Sequence, residues 1–143
     1  MIKEFKNEYS WLSNFHLCKI MFDGMVYNSV EHAYVSAKND DYFWKKQCQD
    51  IVKPYEVKKF GQNAKLIPDW DKKKLGIMRR CIEQKFNQEP LKTLLLSTGD
   101  EEIQEGNNWH DTYWGVDLKT GKGENHLGKL IMEKRDKLRG IWV

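Results

Sequence analysis

The stretch from Asn28 to Lys38 carries residue types that could perform nucleophilic chemistry on a small substrate. It reads NSVEHAYVSAK and predicts a helix that begins after an N-cap at Asn28 or Ser29. Glu31 and Lys38 are spaced almost two helical turns apart, so they fall on one face. Helical side chains lean toward the N-terminus, which brings the Lys38 amine back toward Glu31. The spacing predicts an amine and a carboxylate in one site.

An ordinary structural role also fits these two residues. After an Asn28 cap, Glu31 is the third helical residue, where a carboxylate closes a capping box or favours the helix dipole. Lys38 could be a solvated charge near the helix end, and the two residues alone favour this interpretation. The setting favours the other one, because burial lowers the pKa of an amine and makes it nucleophilic. The rest of the predicted helix is apolar or small: Val30, Ala33, Tyr34, Val35 and Ala37.

Composition indicates one globular domain spanning residues 1–143, because 40% of the residues are hydrophobic and 31% are charged. No apolar run is long enough to span a bilayer, and the first residues lack a signal-peptide core, so we expect a cytoplasmic protein without a membrane partner. The cysteines, Cys18, Cys48 and Cys81, are odd in number and widely spaced. They predict neither a disulfide framework nor a zinc site.

Charge and aromatic content bear on the ligand. The net charge of +3 is below the strongly basic balance expected of a dedicated nucleic-acid binder. The chain has six tryptophans and an aromatic share of 13%, which is high for this length. Some of these rings must fill the core, but planar rings also stack on nucleobases. Composition therefore permits a nucleotide ligand.

The other segments predict a mostly helical chain with one hairpin. Strands are expected at 18–22 and 25–27 around the Asp23–Gly24 turn, with a strand end or loop at 8–15 and an edge strand at 101–105. Short helices are expected at 42–51, 55–60 and 91–96. A longer helix carries Leu75, Met78, Ile82 and Phe86 on one face and ends before Pro90. Its other face is expected to be solvated and bears Lys72, Lys73, Lys74, Arg79, Arg80 and Lys85.

The C-terminal third contains a second candidate region. Residues 107–117 are aromatic and polar without a regular period, which is typical of a loop that carries function or covers a pocket. Asn125 is a candidate cap for a final helix that carries Leu127, Leu130, Ile131 and Leu138. No repeat, linker or low-complexity tract interrupts the chain.

Seven short motifs in series resemble the NADAR family, also called YbiA-like. The match spans almost the whole chain in the right order. The motifs are Ser13-Asn14-Phe15, Phe22-Asp23-Gly24, Ser29-Val30-Glu31-His32-Ala33-Tyr34 with Ala37-Lys38, Pro68-Asp69-Trp70-Asp71, Thr98-Gly99-Asp100, Trp114-Gly115, and Gly123-x-Asn125-x-Leu127-Gly128.

The resemblance implies a compact, mostly helical α+β domain with a small β-hairpin, and an enzyme that cleaves N-glycosidic bonds. Two substrate classes follow from it: ribosylamine phosphate intermediates of riboflavin synthesis, and guanine in DNA or RNA that carries ADP-ribose. It also implies that Lys38 attacks the sugar C1 to form a Schiff base and that Glu31 transfers protons. Such chemistry needs no metal and no organic cofactor.

The motifs also supply candidate substrate-binding residues. Asn14 could bind sugar hydroxyls or orient Lys38, Trp70 or Trp114 could stack on the base, and backbone amides near the last helix could hold a phosphate. For Trp70, core packing is the better interpretation, and Asn125 is expected to cap a helix in either case. His32 and His110 are better explained as structural residues. The full candidate set is Ser13, Asn14, Phe15, Tyr34, Trp70, Trp114, Gly115, Asn125 and Gly128.

Two positions depart from the family pattern. Gln62 stands after Gly61, where an arginine is common, and Asn39 stands where an aromatic residue often follows the lysine. If that arginine meets a phosphate, this chain must use Lys65 or another group. Both changes concern the identity of the substrate more than the chemistry.

The sequence leaves three functions open. The first is an N-glycosidase that uses Lys38 and Glu31. The second is a non-catalytic module that binds ADP-ribose or a nucleotide in the same pocket, against which the presence of both residues argues. The third is a structural partner protein whose aromatic loop at 109–114 is an interface.

Overall fold

We describe residues 1–140 of a computed structural model of the chain. The described residues form two compact units. The central unit is Asn14–Lys85, and the terminal unit joins Met1–Ser13 to the chain from Phe86 onward. Short strands and several helices confirm the predicted α+β class with mostly helical content. The expectation of one domain over residues 1–143 stays a prediction.

A hairpin opens the central unit. Strand β1, Leu17–Phe22, pairs antiparallel with β2, Met25–Ser29. The turn residues Asp23 and Gly24 both have positive φ, 48° and 83°, as a tight two-residue hairpin turn requires. The predicted hairpin is confirmed, and β2 runs directly into the first helix.

Helix α1, Val30–Ser36, is buried along its whole length. Ser29 is the N-cap, and its hydroxyl accepts a hydrogen bond from the His32 backbone N–H. Glu31 is therefore the second helical residue, and the alternative that it closes a capping box from an Asn28 cap is wrong. The turn continues past the helix, since the Lys38 N–H donates to the Val35 carbonyl.

Three further helices surround α1 in the central unit. They are α2 at Tyr42–Asp50, α3 at Pro54–Gly61 and α4 at Trp70–Lys85, which confirms the three predicted helices. All three contact α1, as do both strands. The Trp44 indole N–H donates to the Val35 carbonyl, and the Trp44 ring stacks on Phe60 at 4.5 Å. These contacts fix the C-terminal end of α1 between α2 and α3.

Lys85 contradicts the expectation that it lies on the solvated face of α4. Its side chain is completely buried, at 0% exposure. Burial lowers the pKa of its amine to about 7, against an opposing effect of Cys18. The last turn of α4 continues its buried face, so this lysine points inward although its neighbours in sequence suggest a solvated end.

The buried Lys85 predicts a specific dependence of stability on pH. The folded amine has a pKa of about 7 and the unfolded one about 10.5, so between these values the unfolded chain binds more protons. The free energy of unfolding should therefore rise with pH over this window, by up to about 1 kcal/mol per pH unit. Urea unfolding between about pH 7 and about pH 10 should show this rise in the natural protein and a smaller one in Lys85→Met. Equal slopes in Lys85→Met and in the exposed control Lys72→Met would contradict the assignment.

The terminal unit contains two helices and a minimal sheet. Helix α5 is Leu91–Ser97 and helix α6 is His126–Leu138, both close to their predicted positions. Strands β3, Gly106–Asn107, and β4, Val116–Asp117, pair in parallel within the aromatic loop region. Among the described residues, the core of this unit is aliphatic apart from the Phe86 ring, and its buried side chains include Ile2, Leu12, Phe86, Leu95, Ile103, Leu130 and Ile131.

Two local predictions in the terminal unit were wrong, and a third, the cap at Asn125, is confirmed in position but not in its side-chain bond. The segment expected as a strand end or loop contains a 3-10 helix, Asn7–Leu12. Residues 101–105 do not form an edge strand, because only Ile103 pairs, in a single parallel bridge with Ile2. Asn125 occupies the N-cap position of α6, but it has φ 54° and its side chain makes no capping bond.

No helix among residues 1–140 is both long and apolar enough to cross a bilayer.

Candidate active site

Lys38 lies just beyond α1, in the central unit, and its amine faces the end of α3. Its Nζ is 3.4 Å from the Gly61 carbonyl oxygen and 5.8 Å from the centroid of the Tyr34 ring. The side chain is half-buried. The backbone is held in place as well, because the Lys38 carbonyl accepts from the Ile67 N–H at 2.8 Å. A half-buried amine on a fixed backbone can be presented to a substrate in one orientation.

The surroundings of Lys38 lower the pKa of its amine, so it loses its proton more readily than an ordinary lysine. Burial lowers the pKa of Lys38, and the charges of Lys58 and Lys74 lower it further. The carboxylate of Glu31 acts in the opposite direction and raises this pKa, as does Cys48. Desolvation is the largest of these effects, so the net shift is downward. The half-buried side chain of Lys38 agrees with the predicted partial desolvation of this amine.

Gly61 permits the close approach of α3 to α1. A Cβ atom at Gly61 would lie 2.9 Å from both methyl groups of Val35, closer than carbon atoms pack. Only glycine therefore allows the Gly61 carbonyl to reach the Lys38 amine at the observed helix separation. The sequence identified Gly61 only as a helix-end residue.

Replacing Gly61 with alanine should destabilise the protein and reduce its activity. The new methyl group would force α3 away from Val35, at a cost of about 1–3 kcal/mol for an overpacked contact. The matched control is Gly76→Ala in α4, where a Cβ meets nothing within 4 Å and higher helix propensity should add up to about 1 kcal/mol. Urea unfolding of both variants measures the difference. A Gly61→Ala variant as stable as the natural protein would contradict the close approach.

Glu31 is buried, at 7% exposure, near the start of α1. Its backbone N–H donates to the Asn14 carbonyl at 3.1 Å, which places Asn14 beside it. The Asn14 amide N–H contacts the Met78 sulfur at 3.6 Å. The Asn14 Oδ1 atom is buried and accepts no hydrogen bond within the described part of the chain. A buried acceptor of this kind is suited to a donor from a ligand.

Tyr34 and Trp70 form an aromatic pair next to Lys38. Their ring centroids are 5.3 Å apart with planes tilted by 54°, and both residues are 7% exposed. The packing role that the sequence favoured for Trp70 is observed. Stacking of Trp70 on a substrate base stays a prediction.

Lys58 lies on α3, one turn before Gly61, and its amine contacts the ring of Phe15. Phe15 is 38% exposed, and the Lys58 Nζ lies 5.8 Å from the centroid of its ring. This distance is within the range of a cation–π contact. Lys58 is half-buried, in contrast to its exposed neighbour Lys59. The sequence did not single out Lys58, because lysines on a short helix are usually solvated.

An open cavity of about 450 Å³ lies in the central unit beside the end of α1. Its walls include Ala37 and Asp40 from the end of α1 and the following turn. Three cations also line it, Lys72, Lys73 and Arg80, and Arg80 lies over the Phe22 ring at 4.3 Å. The size is in the range of a small-molecule site.

The candidates in the terminal unit have defined structural roles. The side chain of Asn125 accepts from the Glu105 N–H and donates to the Ile103 carbonyl, both at 3.0 Å. A Cβ at Gly128 would collide with the Ile103 carbonyl and the Asn125 side chain. A Cβ at Gly115 would collide with Glu105. Close packing therefore requires both glycines, and contact of Gly115, Asn125 and Gly128 with a substrate stays a prediction.

Two further candidates lie elsewhere in the terminal unit. Trp114 is half-buried and packs edge-to-face on Tyr113 with centroids 4.8 Å apart. Its backbone N–H donates to the Asp111 carboxylate at 2.9 Å. Ser13 follows the 3-10 helix, and its N–H donates to the Ser10 carbonyl. Roles of Ser13 and Trp114 in substrate binding stay predictions.

Both histidines that the sequence assigned to structural roles have defined partners. His32 is buried between Ser29, 2.6 Å from its Nδ1, and the Ile51 carbonyl, 2.7 Å from its Nε2. Burial lowers the pKa of His32. The Nδ1 of His110 lies 2.6 Å from the buried Asp117 carboxylate. This hydrogen bond from His110 holds the pKa of Asp117 below its usual value. Each ring therefore stabilises local structure.

The two departures from the family pattern have different surroundings. Asn39 donates to the Lys65 carbonyl at 2.7 Å, so this pair holds the segment after Lys38 in place. Gln62 and Lys65 are both exposed. A phosphate contact by Lys65 stays a prediction.

Comparison with known proteins gives consistent matches along the chain. A family model described as NADAR domain matches residues 2–139. The N-glycosidase YbiA of Shigella boydii is 33% identical over 135 residues, which cover 92% of this chain and 83% of that protein. A riboflavin biosynthesis protein of Vibrio vulnificus is 32% identical over 92% of this chain, although the match covers only 36% of that protein.

A solved structure shares the fold. The NMR structure of the E. coli protein YbiA matches with a TM-score of 0.83 and 29% sequence identity. The superposition covers 97% of this chain and 87% of that one. The predicted α+β fold with this family resemblance is therefore confirmed.

Proposed function

Because the chain belongs to the NADAR domain family, we propose that it hydrolyses the N-glycosidic bond of an N-ribosyl substrate through a Schiff base on Lys38. The similarity to N-glycosidases supports this type of activity in general. The main support for the lysine chemistry is the half-buried Lys38 amine, whose pKa is lowered by burial. The carboxylate of Glu31 is near enough to affect this pKa, so it is the candidate partner for proton transfer.

The reaction starts on the substrate. The lone pair of the glycosidic nitrogen expels the ring oxygen, which takes up a proton, and the sugar opens to an imine at C1. The neutral Lys38 amine adds to C1, and a proton moves to the glycosidic nitrogen. The C1–N bond then breaks, releasing the base as a free amine and leaving a Schiff base between C1 and Nζ. Water adds to C1 and releases the sugar as an aldehyde, which regenerates the amine.

Glu31 and Asn14 have different roles in these reaction steps. Glu31 moves the protons, first to the leaving nitrogen and later away from the attacking water. The buried Oδ1 of Asn14 is suited to accept a hydrogen bond from a sugar hydroxyl, which would place C1 against Lys38. No electron is transferred in any step, and water is the only co-reactant.

Two substrate classes remain candidates, and one assay separates them. The purified protein is given an oligonucleotide with ADP-ribosylated guanine and, separately, the ribosylamine phosphate of riboflavin synthesis, and the released sugar is followed by mass spectrometry. Release from the oligonucleotide would assign reversal of nucleic-acid ADP-ribosylation. Release from the small molecule alone would assign clearance of a metabolite. Tight binding of ADP-ribose with no product from either substrate would instead support a non-catalytic binding module.

A further inference from the structure

We infer that the open cavity beside the end of α1 binds a ribonucleotide, with the phosphate at Lys72 and Lys73 and the ribose hydroxyls at Asp40. This cavity of about 450 Å³ is lined by α4, by the turn between β1 and β2, and by the segment that follows α1. Neither Lys38 nor Glu31 is among its described walls, so it is distinct from the proposed catalytic site. The inference goes beyond the proposed function and does not depend on it.

Lys72 and Lys73 bring two ammonium groups to the cavity without a counterion. Both are exposed near the start of α4 and belong to its wall. Neither side chain makes an ion pair or a hydrogen bond within residues 1–140, whereas Lys74 is bound to Asp71 at 3.2 Å. Unpaired lysines on a convex surface are usually only solvated, but these two line one concave space. Lysine is a common ligand of phosphate, so an anionic phosphate group fits this wall.

Asp40 gives the cavity a mixed character that a simple anion would not need. It lies in the segment after α1, and its carboxylate likewise has no partner in the described part of the chain. A ligand in the cavity therefore meets two ammonium groups on α4 and a carboxylate on a different segment of the wall. Carboxylates bind ribose hydroxyls in dinucleotide-binding folds. A ribose phosphate satisfies both parts of the wall.

Arg80 and the apolar part of the wall fit a nucleobase. The Arg80 guanidinium lies over the Phe22 ring at 4.3 Å, and its side chain is still 60% exposed. Asp23, which also lines the cavity, is 3.9 Å from Arg80 and offsets part of its charge. Nucleobases stack on guanidinium planes, and Ile77 adds apolar surface. Arg80 is eight residues after Lys72, about 12 Å along the helix axis, which an extended mononucleotide can span.

Titration calorimetry with adenosine monophosphate (AMP), its 2′-deoxy form, adenosine and inorganic phosphate tests the inference. The natural protein should bind AMP more tightly than the other three. The double variant Lys72→Ala/Lys73→Ala should bind AMP about tenfold more weakly or worse, the usual size for loss of a charge-assisted contact, with adenosine binding unchanged. The matched control is Lys92→Ala/Lys129→Ala, an equal charge change at exposed lysines of the terminal unit, which should bind AMP like the natural protein.

Gly76 allows the cavity to be filled without a change in charge. It belongs to the wall, and a Cβ atom there would meet nothing within 4 Å. Gly76→Leu should therefore fold, occupy the cavity and lose AMP binding, whereas Gly76→Ala should keep most of it. Urea unfolding should show both variants to be at least as stable as the natural protein. Asp40→Asn should remove the preference for AMP over its 2′-deoxy form, which isolates the ribose contact.

A six-nucleotide RNA strand identifies the source of the phosphate. Tighter binding of the strand than of AMP, with the same loss in the double lysine variant, assigns the cavity to RNA, and weaker or equal binding assigns it to a free nucleotide. Both results support the inference.

Four results would overturn the inference. They are absence of AMP binding at millimolar concentration, undiminished binding in Gly76→Leu, equal loss in the control lysine variant, and a natural protein that binds inorganic phosphate or the 2′-deoxy form as tightly as AMP. Lys38→Ala should bind AMP in this cavity normally. Its turnover therefore tests the proposed function separately from the cavity.

Discussion

Replacing Lys38 with alanine is expected to lower kcat/KM by about 10³-fold or more, because the variant lacks the amine that we propose as the nucleophile. Lys38→Arg should be equally inactive, since a guanidinium keeps the positive charge but stays protonated and cannot form the Schiff base. Comparing the two variants distinguishes a lysine that acts as a nucleophile from one that supplies only a positive charge. Steady-state turnover of the accepted substrate measures both variants.

The expected loss at Lys38 must not come from unfolding. Urea unfolding of the two variants provides the control, and removal of a half-buried amine should leave the fold intact. An active Lys38→Arg variant would show that Lys38 contributes charge alone. Full activity of Lys38→Ala would remove the residue from the mechanism altogether.

Substituting Glu31 with glutamine should lower kcat by about 10²–10⁴-fold, the usual contribution of a positioned acid–base group. Glutamine has nearly the same shape, so the buried position near the start of α1 should remain filled. Glu56→Gln, an exposed carboxylate on α3, is the matched control and should be fully active. Activity of Glu31→Gln equal to that of the control would assign proton transfer to another group.

The same Glu31 variant should also shift the pH profile. In the natural protein kcat/KM should rise with pH as Lys38 loses its proton, at a lower pH than an ordinary lysine would require. The Glu31 carboxylate raises the pKa of Lys38, so its removal should move this rise to still lower pH. A shift in the other direction would contradict the electrostatic coupling between the two residues.

Local signals in the sequence were sufficient to predict the hairpin and the helix that position Lys38 and Glu31. The Asp23–Gly24 pair can adopt the positive φ values of a tight turn, and a small polar residue before Val30 caps the helix. The helices at Pro54–Gly61 and Trp70–Lys85 follow from start signals and apolar spacing. Each of these features depends on residues that are neighbours in the chain.

The features that the sequence did not reveal depend on residues far apart in the chain. Lys85 resembles any lysine at the end of an amphipathic helix, and only tertiary packing shows that it is buried. Asn125 has the residue type of a cap, but its side chain binds the backbone of 103–105 instead. The proximity of Lys58 to Phe15 and to Lys38 likewise comes from the packing of α3 on α1.

Trapping of the covalent intermediate is the sharpest test of whether Lys38 forms a Schiff base with the sugar. The protein is incubated with its substrate in the presence of borohydride, which reduces a Schiff base to a stable secondary amine, and peptide mass mapping locates the added sugar. We expect a single sugar adduct on Lys38 that is absent in Lys38→Arg. Turnover that continues under these conditions without an adduct, or an adduct on a different lysine, would contradict it.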